Sequence, residues 1–172
     1  MDKNLIFIGF MGCGKSTLGR KVSKLRGMQF VDTDRYIENM EGMKISEIFA
    51  QKGEEYFRKK ETEVCEKFSH ETGYIIATGG GIIKNDENVR LLKKNGVVIY
   101  LKASPEHIFR NVRNDVSRPL LQGGDKMEKI KSLMEERRPL YEKHADMRIT
   151  VTGGNIRSLT EKILWELEDA GL

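Results

Sequence analysis

The sequence predicts an α/β protein with three layers, in which helices cover both faces of a five-stranded parallel sheet. Short apolar runs alternate with segments of helical periodicity along all 172 residues, and this alternation is typical of parallel sheets with crossover helices. No repeat, low-complexity tract or linker divides the chain. The length suits one folding unit, so we predict a single domain over residues 1–172.

The individual elements follow from apolar periodicity and from local capping residues. The predicted strands are residues 5–8, 29–31, 74–77, 97–101 and 148–151. The predicted helices are residues 15–26, 34–41, 45–51, 54–70, 86–94, 105–112, 126–143 and 156–169. Ser104 and Pro105 are typical of an N-cap and a first helical turn. Trp165, Ile163 and Leu167 predict a last helix that packs on the core.

The first strand, a glycine-rich loop and a helix form the unit around which the chain is organised. An apolar run at residues 5–8 leads into Gly9-x-x-x-x-Gly14-Lys15-Ser16, and helical spacing follows. This is a phosphate-binding loop in its required context. Glycines let backbone N–H groups surround an anion, and the helix N-terminus adds partial positive charge. Lys15 can reach the outer phosphates, and the Ser16 hydroxyl can ligate magnesium.

Two acids, Asp32 and Asp34, follow the second predicted strand. Ligands of parallel sheets bind beyond the carboxyl ends of the strands, so both acids should face the phosphate loop. Alternate residues of an extended strand point to opposite sides. One acid could therefore hold magnesium or its water, and the other could receive a hydroxyl proton. The alternative is that Asp34 only caps a helix beginning at Arg35.

Three glycines, Gly79, Gly80 and Gly81, follow the third predicted strand. An Asp that holds magnesium commonly ends such a strand in phosphate-loop enzymes, and here it is missing. Metal binding should then rest on Ser16 and Asp32. The glycines would let a ligand lie flat against the backbone, although a plain tight turn is the alternative.

Three arginines are candidates for binding anions. Arg58 lies one helical turn before Glu61, which could orient its guanidinium. Arg118 lies in a predicted mobile loop at residues 116–125, from which it could close on a transferring phosphate. Arg138 begins the segment Arg138-Pro-Leu-Tyr. Arginine suits a carboxylate better than lysine because it binds in a bidentate manner. Taken alone, however, each of these arginines is more often part of a solvated surface pair.

Composition limits the partners and the compartment. The net charge is +4, but basic and acidic side chains alternate without a basic block, so we expect no nucleic-acid partner. No apolar run approaches the ~20 residues of a membrane span, and we expect no membrane association. Cys13 and Cys65 are the only cysteines, and a disulfide at Cys13 would obstruct the phosphate loop. Free thiols and the lack of a signal peptide predict a cytoplasmic protein.

Six landmarks in order resemble the shikimate kinases, small phosphate-loop kinases of the nucleoside-monophosphate-kinase type. They are Gly9 to Thr17, Asp32-Thr-Asp34, Gly53-Glu-x-x-Phe57-Arg58-x-x-Glu61, Gly79-Gly-Gly81, Arg118-Pro-Leu-Leu121 and Arg138-x-x-Tyr141. The resemblance covers nearly the whole chain. It implies transfer of the γ-phosphoryl group of ATP to the 3-hydroxyl of shikimate, with Mg²⁺ as cofactor, on the way to chorismate and the aromatic amino acids.

The resemblance also implies a role for each candidate residue. Asp34 would bind the ring hydroxyls of shikimate and serve as the base. Arg58 and Arg138 would hold the carboxylate, while Gly80, flanked by Gly79 and Gly81, would contact ring substituents. Lys15 and Arg118 would stabilise charge on the γ-phosphate. Ser16, helped by Asp32 through water, would hold Mg²⁺. The implied ATP-binding residues are Gly12, Cys13, Gly14, Lys15, Ser16, Thr17, Arg110 and Arg118.

The implied mobile parts are a substrate-binding segment at about residues 33–61 and a lid at about residues 112–125. Arg110 and Arg113 both remain candidates for the arginine that stacks on adenine. Cys13 stands where the family more usually has Ala or Ser. We expect a monomer, because no spare apolar helix face is evident.

Two other functions remain open from the residues alone. A gluconate-type or nucleoside-monophosphate kinase would use the same phosphate loop, and paired arginines suit any carboxylated polyol. A nucleotide-dependent switch without turnover is favoured by the missing Asp, but the two acids and three arginines argue against it.

Overall fold

The computed structural model of the protein describes residues 3–115 and 118–172. Residues 116 and 117, which belong to the predicted lid, lie outside the described residues. The strands are β1 (Asn4–Ile8), β2 (Gln29–Asp32), β3 (Tyr74–Ala77), β4 (Gly96–Lys102) and β5 (Met147–Thr150). The helices are α1 (Lys15–Arg26), α2 (Thr33–Glu41), α3 (Ile45–Lys52), α4 (Glu54–Phe68), α5 (Asp86–Lys93), α6 (Pro105–Val112), α7 (Lys126–His144) and α8 (Ile156–Asp169). Short 3₁₀ turns, which the sequence did not predict, occur at Ile82–Lys84 and Pro119–Leu121.

The five strands form one parallel sheet in the order β2-β3-β1-β4-β5. β1 lies in the middle, and all five of its residues are buried, as its continuous apolar run predicts. Phe7 of β1 is in register with Ala77 of β3, which is in register with Asp32 of β2. The segments that follow these three strands therefore meet at the same edge of the sheet, and the predicted fold class is confirmed.

Local capping explains where the helices begin. The Ser104 side chain accepts a hydrogen bond from the His107 N–H, with Pro105 in the first turn of α6. At α2, the cap is Asp32, whose side chain accepts from the N–H groups of Asp34 and Arg35. The alternative prediction, in which Asp34 caps a helix that begins at Arg35, is therefore wrong. The helix begins at Thr33, and Asp34 belongs to its first turn. The Asp34 carboxylate is consequently free to face the carboxyl edge of the sheet.

The last helix packs on the core as predicted, except at its tryptophan. Ile163 and Leu167 of α8 are fully buried, whereas Trp165 is 62% exposed. These positions lie on different sides of one helix, and only the first two belong to the core. No helix in the described parts of the chain is long and apolar enough to cross a bilayer.

Candidate active site

The phosphate loop wraps around the side chain of its own lysine. Lys15 is buried, and its Nζ donates hydrogen bonds to the carbonyl oxygens of Gly9 at 2.6 Å and Phe10 at 3.1 Å. Gly12 has φ +80°, and a Cβ there would lie 2.5 Å from a Val112 methyl group. Only glycine fits this position, because both the backbone conformation and the neighbouring helix exclude a side chain.

The first turn of α1 is open to an anion. Gly14 caps the helix without a side chain, and the first turn carries no acidic residue. The N–H groups of this turn therefore keep the partial positive charge of a helix N-terminus. Cys13 is buried, with Sγ 3.9 Å from the Lys15 Nζ. The predicted nucleotide residues from Gly12 to Thr17 thus form a continuous cradle at the carboxyl end of β1.

A hydroxyl and a carboxylate lie together beside this cradle. The Ser16 Oγ donates a hydrogen bond of 2.5 Å to Asp32 Oδ2, while Asp32 Oδ1 caps α2. Oxygen atoms of this kind are the ligands that Mg²⁺ prefers, and Mg²⁺ usually takes only one or two from the protein, with phosphate and water completing its shell. The pair therefore fits the predicted metal position.

The three glycines provide the space in which an acid and an arginine lie. A Cβ on Gly79 would be 2.2 Å from Asp34 Oδ1, and a Cβ on Gly81 would be 1.9 Å from Arg58 Nη1. The Gly79 N–H donates to the Thr33 Oγ1 at 2.8 Å, which fixes the start of the segment. The segment is therefore more than a tight turn: any larger residue at its ends would displace Asp34 or Arg58.

The arginine that completes this group is Arg137, and not the predicted Arg138. The Arg137 side chain is buried, and its Nη1 lies 3.2 Å from where a Cβ on Gly80 would be. Arg138 is half exposed and forms an ion pair of 2.6 Å with Glu135. Adjacent residues on a helix point about 100° apart, so α7 can direct only one of the two toward the glycines.

Arg58 is held by a buried acid, as predicted for Glu61. The Arg58 Nη1 lies 2.6 Å from Glu61 Oε1, and the Glu61 side chain is 1% exposed. This burial contradicts the alternative of a solvated surface pair. Burial raises the pKa of Glu61 to about 7, although the Arg58 guanidinium acts in the opposite direction. The second carboxylate oxygen of Glu61 has no hydrogen-bond partner in the described structure.

Asp34 is a mostly buried acid among other charged side chains. Its carboxyl lies beside Gly79, with Asp32, Lys15 and Arg58 nearby. Burial, and then the negative charge of Asp32, raise its pKa to about 6, against the opposing effect of Lys15. A carboxylate with a pKa near neutrality can accept a proton and release it again.

Arg118, the arginine of the predicted lid, forms an ion pair with Asp115. Its Nε donates to Asp115 Oδ2 at 2.9 Å. Lys126 of α7 donates to the carbonyl oxygens of Val112 and Arg113, both at 3.1 Å, and so ties the end of α6 to α7. Arg110 is exposed on the last turn of α6, and its predicted contact with adenine stays a prediction.

Three side chains that shape the site were not predicted from the sequence. Thr33 fixes the glycine segment, Asn111 of α6 donates to the Gly12 carbonyl oxygen at 2.7 Å, and Arg137 occupies the place given to Arg138. Arg137 and Arg138 precede Tyr141 by four and three residues, and because both spacings lie on one helix face, the sequence does not separate them. Nothing in the sequence singles out Thr33 or Asn111.

The comparisons with known proteins agree on one family. The family model described as shikimate kinase matches residues 11–168. The shikimate kinase of Caldanaerobacter subterraneus subsp. tengcongensis is 45% identical over 162 residues, which are 94% of either chain. That of Thermodesulfovibrio yellowstonii is 45% identical over 166 residues, covering 96% of this chain and 95% of the relative.

Solved structures give the same result at the level of the fold. A shikimate kinase from Acinetobacter baumannii in complex with shikimate superposes with a TM-score of 0.91 and 36% identity, covering 100% of this chain and 96% of the other. A gluconokinase from Sinorhizobium meliloti 1021 shares the fold, with a TM-score of 0.61, but only 12% identity. The fold is thus that of phosphate-loop kinases, and within that fold the chain belongs to the shikimate kinase family.

Proposed function

We propose that this chain transfers the γ-phosphoryl group of ATP to the 3-hydroxyl of shikimate, giving shikimate 3-phosphate and ADP, with the residue roles set out below. Its family consists of ATP-dependent kinases that act on shikimate. The observation that carries the assignment of roles is the glycine segment 79–81. It is in contact with one acid, Asp34, and two arginines, Arg58 and Arg137, at the sheet edge that also bears the phosphate loop.

On the donor side, we assign the phosphates of ATP to residues 12–17. This assignment is supported by the open N-terminus of α1 and by the Lys15 ammonium beside it. Lys15 would move from its carbonyl partners to the β- and γ-phosphates. Arg118 would leave Asp115 and add positive charge to the transferring group when the lid at residues 112–125 closes. Arg110 is the proposed neighbour of adenine.

Ser16 and Asp32 are the residues that would hold Mg²⁺. Their hydrogen bond of 2.5 Å places two oxygen atoms side by side at the entrance of α1. When bound with ATP, Mg²⁺ neutralises phosphate charge and orients the terminal phosphate. The protein's own part is to keep these oxygens fixed, which Asp32 achieves through its second carboxylate oxygen at the cap of α2.

On the acceptor side, we assign the carboxylate of shikimate to Arg58 and Arg137. Two guanidinium groups facing one short glycine segment can bind a carboxylate through several charge-assisted hydrogen bonds. Glu61 prevents Arg58 from rotating away. Arg138 is not part of this proposal, because it pairs with Glu135 on another side of α7. Gly80 would contact ring substituents through its backbone.

Asp34 would orient the 3-hydroxyl and accept its proton as the new O–P bond forms. Phosphoryl transfer depends more on in-line positioning and charge neutralisation than on covalent catalysis. One proton acceptor and the cations around the phosphate would supply what this reaction needs. Closure of the lid and of the acceptor segment at residues 33–61 would exclude water, which would otherwise take the phosphate. We propose that the single domain acts as a cytoplasmic monomer, and its two free, buried thiols fit a reducing compartment.

The direct test is an ADP-release assay with Mg-ATP and each candidate acceptor. We expect turnover with shikimate and little with gluconate or nucleoside monophosphates. ³¹P and ¹H NMR of the product should place phosphate on the 3-hydroxyl. ATP binding without ADP release in the presence of shikimate would contradict the proposal and favour a nucleotide-dependent switch.

A further inference from the structure

Helix α6 packs directly on the phosphate loop at Gly12. The carbonyl oxygen of Gly12 accepts a hydrogen bond of 2.7 Å from the Asn111 Nδ2. A Cβ on Gly12 would lie 2.5 Å from a Val112 methyl group and 3.6 Å from a methyl group of Ile108. Residues 108, 111 and 112 are three and four positions apart, so they share one face of α6. This face therefore contacts one residue of the loop through two apolar side chains and one amide.

The Asn111 amide is the directional part of this contact. Only its NH₂ group can donate, and a carbonyl oxygen can only accept. In the described parts of the chain, no other hydrogen bond joins α6 to residues 9–17. Apolar packing is not directional, whereas a hydrogen bond weakens steeply as its angle changes. The Asn111 amide is therefore the group that fixes the orientation of α6 on the loop.

The loop and α6 are each held in shape by other bonds. Within the loop, the Cys13 N–H donates to the Phe10 carbonyl oxygen at 3.1 Å, and Lys15 donates to two carbonyl oxygens. The carboxyl end of α6 is tied to α7 by Lys126. Loss of the Asn111 amide would leave these bonds in place, and it would change only the way in which the loop and α6 are joined.

We propose that Asn111 is a positioning residue of the nucleotide site, which aligns the half that binds phosphates with the half that binds the base. This inference rests on the proposed function, in which residues 12–17 hold the phosphates of ATP and Arg110 lies beside adenine. Arg110 directly precedes Asn111 and is exposed on the last turn of α6, so a change in the orientation of α6 displaces it relative to the loop. A ligand that spans both halves binds best when they are already aligned, because ordering them then costs no binding free energy.

Two probes distinguish alignment from an effect on the loop alone. AMP-PNP, a non-hydrolysable analogue of ATP, spans both halves of the site, whereas inorganic tripolyphosphate reaches only the phosphate half. Each probe is titrated with Mg²⁺ and without shikimate, so the result does not depend on phosphoryl transfer. Isothermal titration calorimetry gives the Kd of each probe.

Asn111→Leu removes the donor and keeps approximately the size of the side chain. We expect the Kd of AMP-PNP to rise about three- to tenfold, as for the loss of one hydrogen bond, and the Kd of tripolyphosphate to change less than about twofold. Leucine favours a helix more than asparagine does, so the Tm should not fall. Asn111→Gln keeps an amide at an exposed position, and it should hold the Kd of AMP-PNP within about twofold of the wild type.

Two further variants of α6 serve as references. Glu106→Gln is the control, because Glu106 is exposed in the first turn of the same helix, and it should leave both Kd values unchanged. Arg110→Ala tests the adenine assignment separately, and it should weaken the binding of AMP-PNP but not of tripolyphosphate. If Arg110→Ala had no effect while Asn111→Leu did, Arg110 would not be the neighbour of adenine, but the alignment by Asn111 would stand.

Three results would overturn the proposal. An unchanged Kd of AMP-PNP in Asn111→Leu would show that the amide has no role in nucleotide binding. Equal weakening of both probes would show that the phosphate loop itself had changed. Equal weakening by Asn111→Leu and Asn111→Gln would exclude the hydrogen bond as the cause. Failure of the proposed function is seen in a different experiment, as the absence of ADP release with shikimate, and it does not alter these Kd values.

Discussion

A single residue step along α7 decides which arginine faces the glycine segment 79–81. Arg137 and Arg138 are chemically identical neighbours, and both precede Tyr141 at a helical spacing. In the structure Arg137 is buried beside Gly80, whereas Arg138 is half exposed and paired with Glu135. The difference lies in the direction of each side chain around the helix axis, and not in any property of the residue itself.

Alanine substitutions at these two positions should therefore have unequal effects. Arg137→Ala should raise the KM for shikimate by about 10- to 100-fold, because charge-assisted hydrogen bonds to a carboxylate are lost. Arg138→Ala should change it less than about threefold, since only an exposed ion pair is removed. Steady-state kinetics with either substrate varied would measure both, with the KM for ATP as the internal control. A larger effect at Arg138 would restore the original prediction.

The segment that follows β3, residues 79–81, leaves room for neighbouring side chains because its three residues are glycines. Gly79 and Gly81 are so close to Asp34 and Arg58 that added methyl groups would overlap their polar atoms. At Gly80 the nearest group is the flexible end of Arg137, at 3.2 Å from the added Cβ. The backbone of the segment thus packs against the side chains of Asp34, Arg58 and Arg137. Of the three glycines, Gly80 has the most space for an added methyl group.

The two substitutions Gly79→Ala and Gly80→Ala should separate catalysis from acceptor binding. Gly79→Ala must push Asp34 aside, and we expect kcat to fall by at least about tenfold because the proton acceptor is misplaced. Gly80→Ala should act mainly on the KM for shikimate through Arg137. Circular dichroism spectra should stay native for both variants. Equal kcat values for the two variants would show that the contact between Gly79 and Asp34 has no catalytic importance.

At the scale of the whole molecule, the site lowers the stability of the fold at neutral pH. The pKa of Asp34 in the folded protein is about 6, above its usual value of 3.8. The folded state therefore binds more protons than the unfolded state between these two values, and stability falls as pH rises through this window. Glu61 acts in the same direction between 4.5 and about 7.

Asp34→Asn should consequently make the protein more stable and less active. We expect the free energy of unfolding at pH 7 to increase by about 1–2 kcal/mol, because no charge is then buried at this position. The gain should shrink strongly near pH 4, where Asp34 is protonated in the folded state and only partly ionised in the unfolded state. The kcat should fall by at least about tenfold. Urea denaturation at pH 4 and 7, together with kinetics, tests this, and an equal gain at both pH values would exclude the buried charge as its cause.

Much of the fold could be predicted because it depends on local patterns. The run at residues 5–8 is apolar at every position, and this identifies a strand buried on both faces without reference to its neighbours. Ser104 and Pro105 begin α6 through contacts within one turn. The phosphate loop also depends on a short contiguous segment. No end of a strand differs from its prediction by more than one residue, and the bounds of β3 agree at both ends.

Sequence patterns were therefore sufficient to predict the alternation of strands and helices, the phosphate cradle at Lys15 and the family resemblance that the comparisons confirm. Which side chains lie together depends on how the helices and strands pack. Asp32 caps α2 because its side chain accepts hydrogen bonds from the N–H groups of the first helical turn. Arg137 lies in the site because it is on the face of α7 that packs beside Phe10 and Gly80, and Arg138 is not. Neighbouring residues of a helix have almost the same sequence context, but their side chains point in different directions. Which of these directions leads into the site is fixed only when the helix packs against the rest of the molecule.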